Sequence, residues 1–258
     1  PYAAGVFRFD RSPRGTQHVL LLEVPLEHLT FEEKRQTRTY ALRFSAMALV
    51  KDEAGEVVRR LSETFPLEGP LDRLPALKAG RLRFMRQFEL PPGRYTVQAV
   101  ALDQATGRAS VRSLPLAVPP PSDGIRISDV SIVGRIARVE AAREGLDDDP
   151  FLSGPMRIVP NLSMAISKAS NAQLSAFMAI YPGATPAGTP ELTVEFMKDG
   201  RMIGRSAAVL PDPDESGRIK YVATFPTAPF APGTYSLRAV ATQGGASASA
   251  ETSFVLIP

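Results

Sequence analysis

The chain contains no cysteine and no tryptophan among its 258 residues, and only two histidines. The lack of cysteine excludes a disulfide framework, a thiolate nucleophile and a cysteine-ligated metal. It fits an envelope or secreted bacterial protein and does not exclude the cytosol. His18 and His28 lie in no catalytic motif. Nucleophile-elbow, phosphate-loop and His-Glu-x-x-His patterns are also absent, so the sequence predicts no catalytic residue and no enzyme.

Hard oxygen ligands for a metal come closest together in the run of Asp147, Asp148 and Asp149. Calcium takes six to eight oxygen ligands, but adjacent side chains point in different directions and the spacing of a calcium loop is missing. A solvated acidic loop is the better interpretation, and calcium binding is the alternative. The sequence predicts no metal and no cofactor. The candidates for contact with a partner are Asp147, Asp148, Asp149 and Phe151.

Long apolar runs and blocks of basic residues are missing as well. No window approaches the ~18 apolar residues that a membrane-spanning helix needs, so no membrane-spanning segment is predicted. Residues 1–120 hold 18 basic against 13 acidic residues, whereas residues 121–258 hold 12 against 14. The arginines of the first half follow alternating strand positions, as Arg81 and Arg83 do, which is typical of a solvated sheet face. No nucleic-acid partner is expected.

A ten-residue pattern occurs twice, at 92–101 and 232–241. Each copy opens with Pro-Gly, places a tyrosine two residues after the glycine and continues into an apolar strand. In a β-sandwich, a tyrosine at this point can bury its ring and donate its hydroxyl to an upstream backbone group, which is called a tyrosine corner. The repeat predicts one kind of domain used twice, with Tyr95 and Tyr235 largely buried at equivalent positions.

Strand signals with a period of two follow each other along both halves of the chain. The first half has the seven strands of an immunoglobulin-like sandwich, near 5–10, 17–26, 38–51, 55–65, 80–90, 94–103 and 108–118. The second half repeats the scheme near 126–137, 157–166, 173–181, 191–198, 201–210, 218–226, 234–242 and 247–257. The predicted fold class is all-β, with two tandem immunoglobulin-like or fibronectin III-like β-sandwiches. The predicted domains are residues 1–119 and 124–258, joined by a proline linker at 119–124.

Three segments do not fit the strand pattern. A possible capping box predicts a short helical turn at Leu29–Gln36, with a disordered connection as the alternative. Several prolines predict an irregular crossover over 66–78. The segment 138–156 is the longest insertion without strand character, and such a loop is either functional or mobile.

Several motifs together resemble a known group of proteins: Leu90-Pro91-Pro92-Gly93-Arg94-Tyr95, Val159-Pro160-Asn161-Leu162, Ile166-Ser167-Lys168, Tyr181-Pro182 and Gly217-Arg218-Ile219-Lys220-Tyr221-Val222. They resemble the C-terminal tail that follows the von Willebrand factor A-related domain in acidobacterial secreted proteins. The resemblance covers nearly the whole chain and implies an exported, non-enzymatic module downstream of an adhesion-type domain. The A domain and its metal site are missing here, so no ligand residue is transferred.

These observations predict a non-enzymatic structural or protein-binding module of an exported envelope or extracellular bacterial protein. A protein partner is expected, and an export signal would lie upstream of Pro1. The alternative is a carbohydrate-binding β-sandwich, for which Tyr181, Phe151 and Phe230 form the most plausible platform. An exposed aromatic row would favour sugar binding, whereas an apolar strand edge or patch would favour a protein partner.

Overall fold

The computed structural model describes residues 2–139, 149–183 and 188–258. The chain divides into two compact units. Unit 1 comprises Pro1–Val6 and Ser12–Pro120, and unit 2 comprises Phe7–Arg11 and Pro121–Pro258. Each unit has its own buried apolar cluster between β-sheets. The all-β fold class with immunoglobulin-like sandwiches, predicted from the sequence, is confirmed.

Unit 1 is built from seven complete strands, the two ends of an eighth strand and one short α-helix. The strands are β1 Ala3–Ser12, β2 Gly15–Pro25, β3 Glu32–Lys34, β4 Thr39–Asp52, β5 Val57–Pro70, β6 Arg81–Leu90, β7 Gly93–Asp103 and β8 Arg108–Val118. The helix α1 is Leu74–Lys78, and single 3-10 turns lie at Leu26–His28 and Leu71–Arg73.

The central strand of unit 1 is β4, which has partners on both edges. One edge pairs with β5, and the other pairs first with β3 and then with β7, which continues to β8. The second sheet has the order β1-β2-β6. Alternate residues of β4 and β7, such as Phe44, Val50 and Val97, fill the core with Leu20 and Phe84 of the second sheet. The period of two in the sequence therefore marks the buried face correctly.

The crossover predicted over 66–78 is wrong for its first part, because β5 continues through Pro66 to Pro70. Among the described strands, β5 pairs with β4 alone, so it is an edge strand. Proline is tolerated on an edge strand because its missing N–H can lie on the side without a partner. The two sheets meet at this side of the unit, where Arg86 of β6 donates to Glu63 of β5 at 2.6 Å.

The helical turn predicted at Leu29–Gln36 is also wrong. The segment contains β3, which pairs antiparallel with Thr39–Ala41 of β4. The carboxylate of Asp103 accepts the backbone N–H of Thr30 at 2.9 Å. This contact from the end of β7 takes the place of the capping interaction that a local pattern suggested.

Within the described residues, unit 2 contains eleven complete strands in two sheets, besides the middle of β1. They are β9 Arg126–Ile127, β10 Ser131–Arg138, β11 Leu152–Ser153, β12 Met156–Pro160, β13 Ala165–Ser167, β14 Gln173–Tyr181, β15 Glu191–Lys198, β16 Arg201–Ala207, β17 Ile219–Pro226, β18 Gly233–Gln243 and β19 Ala246–Ile257. One sheet has the order β11-β12-β10-β14-β17, with β9 beside β14, and the other has the order β13-β19-β18-β15-β16. Between Val118 and Arg126, at the predicted linker, there is neither helix nor strand.

The turn between β15 and β16 follows directly from its sequence. Asp199 and Gly200 have φ values of 51° and 73°. Two successive residues with positive φ form the hairpin turn that matches the twist of antiparallel strands, and Asp-Gly is a preferred pair for it. The turn fixes where β16 begins and so positions the surface described below.

Residues Phe7–Arg11 belong to unit 2, although the sequence-based boundaries place them in the first domain. The guanidinium of Arg126 donates to Asp10 at 3.0 Å. Arg8 and Asp129 are joined through backbone and side chain. These pairs are more than a hundred residues apart in sequence, so no local pattern reveals them.

Candidate interaction surface

The two repeated tyrosines make the same hydrogen bond. Tyr95 donates its hydroxyl to the carbonyl of Pro91 at 3.0 Å, and Tyr235 donates to the carbonyl of Ala231 at 2.7 Å. In each case the acceptor lies four residues upstream of the ring. This is the upstream backbone bond that defines a tyrosine corner.

The burial of the two rings differs, contrary to the expectation that both are largely buried. Tyr235 is only 3% exposed, since Phe254 stacks on it and Phe230 packs edge-on against it. Tyr95 is half-buried and lies in register with Asp52 of β4. Burial and the Asp52 charge raise the pKa of the Tyr95 hydroxyl. The equivalence of the corners thus holds for the backbone bond and not for the packing of the rings.

Asp149 is a structural residue. Its prediction as a candidate for contact with a partner is wrong. Its side chain is 1% exposed, with one oxygen accepting the N–H of Phe151 and the other accepting two guanidinium donors of Arg157, at 2.6 and 2.9 Å. A buried acidic side chain is costly unless hydrogen bonds or an opposite charge satisfy its oxygens, and Asp149 has both. Asp147 and Asp148 lie outside the described residues.

Phe151 is likewise part of a core. It is 2% exposed and meets Phe7 and Phe9 edge-on, with ring centroids 5.4 and 5.1 Å apart, while Phe177 lies 5.8 Å away. Its assignment as a partner-binding residue is therefore wrong, because a ring enclosed by three others offers no face to a partner. Nearby, Lys220 donates to the carbonyl of Leu152, and burial lowers the pKa of this lysine.

The aromatic platform expected for sugar binding does not exist in these positions. Tyr181 is buried, and burial together with the Asp10 charge raises the pKa of its hydroxyl. Phe230 is half-buried against Phe196 and Tyr235. Since Phe151 is also enclosed, the three rings present no exposed row on which a sugar could stack.

The two histidines have different surroundings in the structure. His18 is fully buried, stacks on Phe88 and bonds through Nδ1 to the carbonyl of Thr16 at 2.8 Å. His28 is exposed, with Nε2 lying 3.8 Å from Glu27. Within the described ranges, no three His, Asp or Glu residues are grouped as metal ligands. No helix in the described part of the chain has the length and apolar character to cross a membrane.

The surface that stands out is β16, the last strand of its sheet. It pairs with β15 and with no other described strand, and six of its seven residues are exposed. Met202 and Ile203 keep 56% and 49% of their surface exposed, and Val209, just beyond the strand, keeps 91%. We call Arg201, Met202, Ile203, Arg205 and Val209 the β16 surface.

The backbone of β16 is poorly suited to accept another strand. The register with β15 shifts between Phe196 and Met197, whose partners are Gly204 and Met202, so Ile203 has no partner of its own. Such a bulge, together with charged side chains on the strand, discourages strand addition at a sheet edge. The side chains of the β16 surface are therefore more accessible for contacts than its backbone is.

The charge of the β16 surface is positive. Arg205 lies in register with Glu195, but the carboxylate of Glu195 pairs with Arg238 on its other side, at 3.7 Å. Neither Arg201 nor Arg205 forms an ion pair with any residue in 2–139, 149–183 or 188–258. Two basic side chains thus flank exposed apolar ones, and this composition matches the centre and rim of many protein interfaces.

No protein-family model and no curated relative matches the chain. Solved structures with similarity include the C-terminal domain of the Streptococcus agalactiae AgI/II polypeptide BspA, at 9% identity and a TM-score of 0.26, covering 99% of this chain and 100% of that one. Fibronectin(III)-like modules of Clostridium thermocellum CbhA match at 13% identity and a TM-score of 0.24, covering 98% and 93%. TM-scores this low say nothing about function, so the function has to be inferred from the β16 surface.

Proposed function

We propose that the chain is a non-enzymatic, protein-binding module of an exported bacterial protein, and that its partner binds the β16 surface. The observation that carries this proposal is the adjacent pair of exposed apolar side chains Met202 and Ile203 on one edge strand, with Val209 exposed farther along the chain. Exposed apolar residues that occur together are typical of interaction sites, whereas scattered ones are not.

The charge of this surface specifies the kind of partner. Arg201 and Arg205 are not neutralised within the described residues, so the complementary surface is apolar at its centre and carries Asp or Glu at its rim. Attraction between opposite charges speeds association and selects the partner, and it weakens as salt is added. Binding is therefore expected to be sensitive to salt.

Site-specific crosslinking tests the proposal in the cellular fraction where the protein resides. A photoreactive residue replaces Ile203 in one variant and Val111 in a matched control, since Val111 is also exposed, at 60%, but on β8 of unit 1. We expect defined adducts from position 203 and none of the same mass from position 111. Adding Arg201→Glu and Arg205→Glu to the first variant should abolish the adducts, while a circular dichroism spectrum confirms folding.

Two outcomes would contradict the proposed binding surface. Identical adducts from positions 203 and 111 would show that capture is non-specific. Adducts that persist after both charge reversals would show that the partner does not bind through acidic residues at its rim. Export is tested separately by fractionating native cells, where recovery in the cytosol alone opposes it. Turnover of an ester, peptide or glycan by the purified chain would overturn the non-enzymatic part.

A further inference from the structure

Unit 1 contains a cleft of about 340 Å³ that is separate from the β16 surface. It lies where β2 ends and where the loop between β7 and β8 begins and ends. Its apolar part includes Tyr2, Val24, Leu29 and Ala101, and its polar part consists of Glu27, His28, Asp103, Arg108 and Ser110. A cleft of this size, lined by apolar and polar side chains in equal number, can hold a small ligand that has both apolar and charged groups.

Asp103 supplies a fixed negative charge to the cleft. The residue is 6% exposed, with Oδ2 accepting the N–H of Thr30 at 2.9 Å and Oδ1 accepting the N–H of Ala105 at 3.0 Å. These two bonds hold the carboxylate in one orientation, and each oxygen can accept a further hydrogen bond. Both present donors are neutral, and no described cation forms an ion pair with Asp103, so its charge is not compensated within the described residues.

Arg108 supplies the opposite charge. Its backbone lies in register with Asp103 across the β7–β8 hairpin. The two side chains nevertheless do not form an ion pair, since the carboxylate is held by Thr30 and Ala105. The guanidinium of Arg108 has no acidic partner in the described part of the chain, and Glu27 lies beside His28 at 3.8 Å. The cleft thus presents a carboxylate and a guanidinium that do not neutralise each other.

We propose that this cleft binds a small zwitterion of the amino-acid type with an apolar side chain. The ammonium group of the ligand binds Asp103 with support from Glu27, and its carboxylate binds Arg108, whose planar guanidinium suits a carboxylate. The apolar side chain of the ligand lies against Val24, Leu29 and Ala101. This inference goes beyond the proposed function, and it involves unit 1 while the β16 surface belongs to unit 2, so each can fail without the other.

The test is an NMR titration of the full chain with L-leucine and two analogues that each lack one charge. 4-Methylpentanoate has no ammonium group, and 3-methylbutylamine has no carboxylate. We expect L-leucine to shift the backbone amides of Leu29, Asp103 and Ser110, and to bind at least about tenfold more tightly than either analogue, since each lost charged hydrogen bond has about that effect.

Variants connect the binding to the named residues. Arg108→Gln should lower the affinity for L-leucine about tenfold and leave the affinity for 3-methylbutylamine unchanged. Glu27→Gln, on an exposed side chain, should weaken the binding of L-leucine and of the amine. The control is Arg94→Gln, which removes an exposed arginine of the same sheet outside the cleft and should change nothing. Equal affinity for the three compounds, or no amide shifts near Asp103 at saturating leucine, overturns the proposal.

Discussion

Arg8 and Asp129 bind each other in three ways across 121 residues of sequence. The backbone N–H of Arg8 donates to Oδ2 of Asp129 at 2.9 Å, the N–H of Asp129 donates to the carbonyl of Arg8 at 2.9 Å, and the guanidinium lies 3.3 Å from Oδ1. Asp129 lies between β9 and β10, where a single strand was predicted. Its backbone N–H is used by Arg8 of β1, and the break between β9 and β10 lies at this contact.

The N-terminal segment is expected to stabilise unit 2 through Phe9. This ring is 5% exposed and packs edge-on against Phe151. Phe9→Ala should lower the free energy of unfolding of unit 2 by about 3–5 kcal/mol, as for other buried phenylalanines. Hydrogen exchange on the full chain should then be faster in β14 than in wild type. The matched variant Phe84→Ala, in the core of unit 1, should accelerate exchange in β4 instead. Unchanged exchange of β14 in Phe9→Ala would show that the segment does not support unit 2.

The stability of unit 2 should depend on the ionisation of Asp129. Burial raises the pKa of this carboxyl, and the charge of Arg8 and its backbone N–H offset the effect only in part. The folded state therefore keeps the proton at pH values where the unfolded chain has released it. The contribution to stability is fully present below the unfolded pKa and is lost as pH rises through the folded pKa.

Asp129→Asn isolates this contribution, since the amide cannot titrate but keeps an acceptor for Arg8. The difference in unfolding free energy, wild type minus variant, should fall as pH rises from about 3 to about 7 in urea denaturation. We expect a shallow slope, because 37% of the Asp129 side-chain surface is exposed. A difference that grows with pH would mean that the Arg8 charge outweighs burial.

The two tyrosine corners should differ in their contribution to stability. Tyr235→Phe removes a buried bond of 2.7 Å and should cost about 0.5–1.5 kcal/mol of unfolding free energy. Tyr95→Phe should cost less, because water can replace the hydroxyl at an exposed acceptor. Urea denaturation of both variants, followed for each unit by NMR, gives the comparison. An equal or larger loss for Tyr95→Phe would contradict the role given to burial.

Local patterns were sufficient to predict most of the strands, but they missed β3 and the end of β5. The Asp-Gly pair at 199–200 and the alternation in β4 are encoded by neighbouring residues, so they can be recognised without a structure. The sequence could not show that Pro66 lies within a strand. A proline ends a central strand but is tolerated on an edge strand, and whether a strand lies at an edge depends on the whole sheet.

The β16 surface and the cleft could be predicted less well than the strands, because both depend on contacts between residues far apart in sequence. The strand signal at 201–210 predicted β16, yet nothing local shows that Met202 and Ile203 lack a covering element. Adjacent apolar residues in a regular strand point to opposite faces, so Met202-Ile203 indicated that at least one apolar side chain lies outside the core, and in the structure both do. The cleft in unit 1 joins Tyr2, Glu27 and Asp103, which only the folded chain brings together.

The segment around Asp149 contributes to the fold, so its loss should destabilise unit 2. Asp149→Ala leaves the buried N–H of Phe151 without its acceptor and the guanidinium of Arg157 without its partner. Breaking a buried, hydrogen-bonded ion pair in this way should cost about 3 kcal/mol of unfolding free energy. The same contacts imply that deletion of residues 146–150 unfolds unit 2 at lower urea concentration. The control is Asp123→Ala, which removes a fully exposed carboxylate near Arg11 and should leave the urea midpoint unchanged. If Asp149→Ala has the same midpoint as wild type, the acidic segment is a dispensable surface loop after all, and its role in partner binding must be considered again.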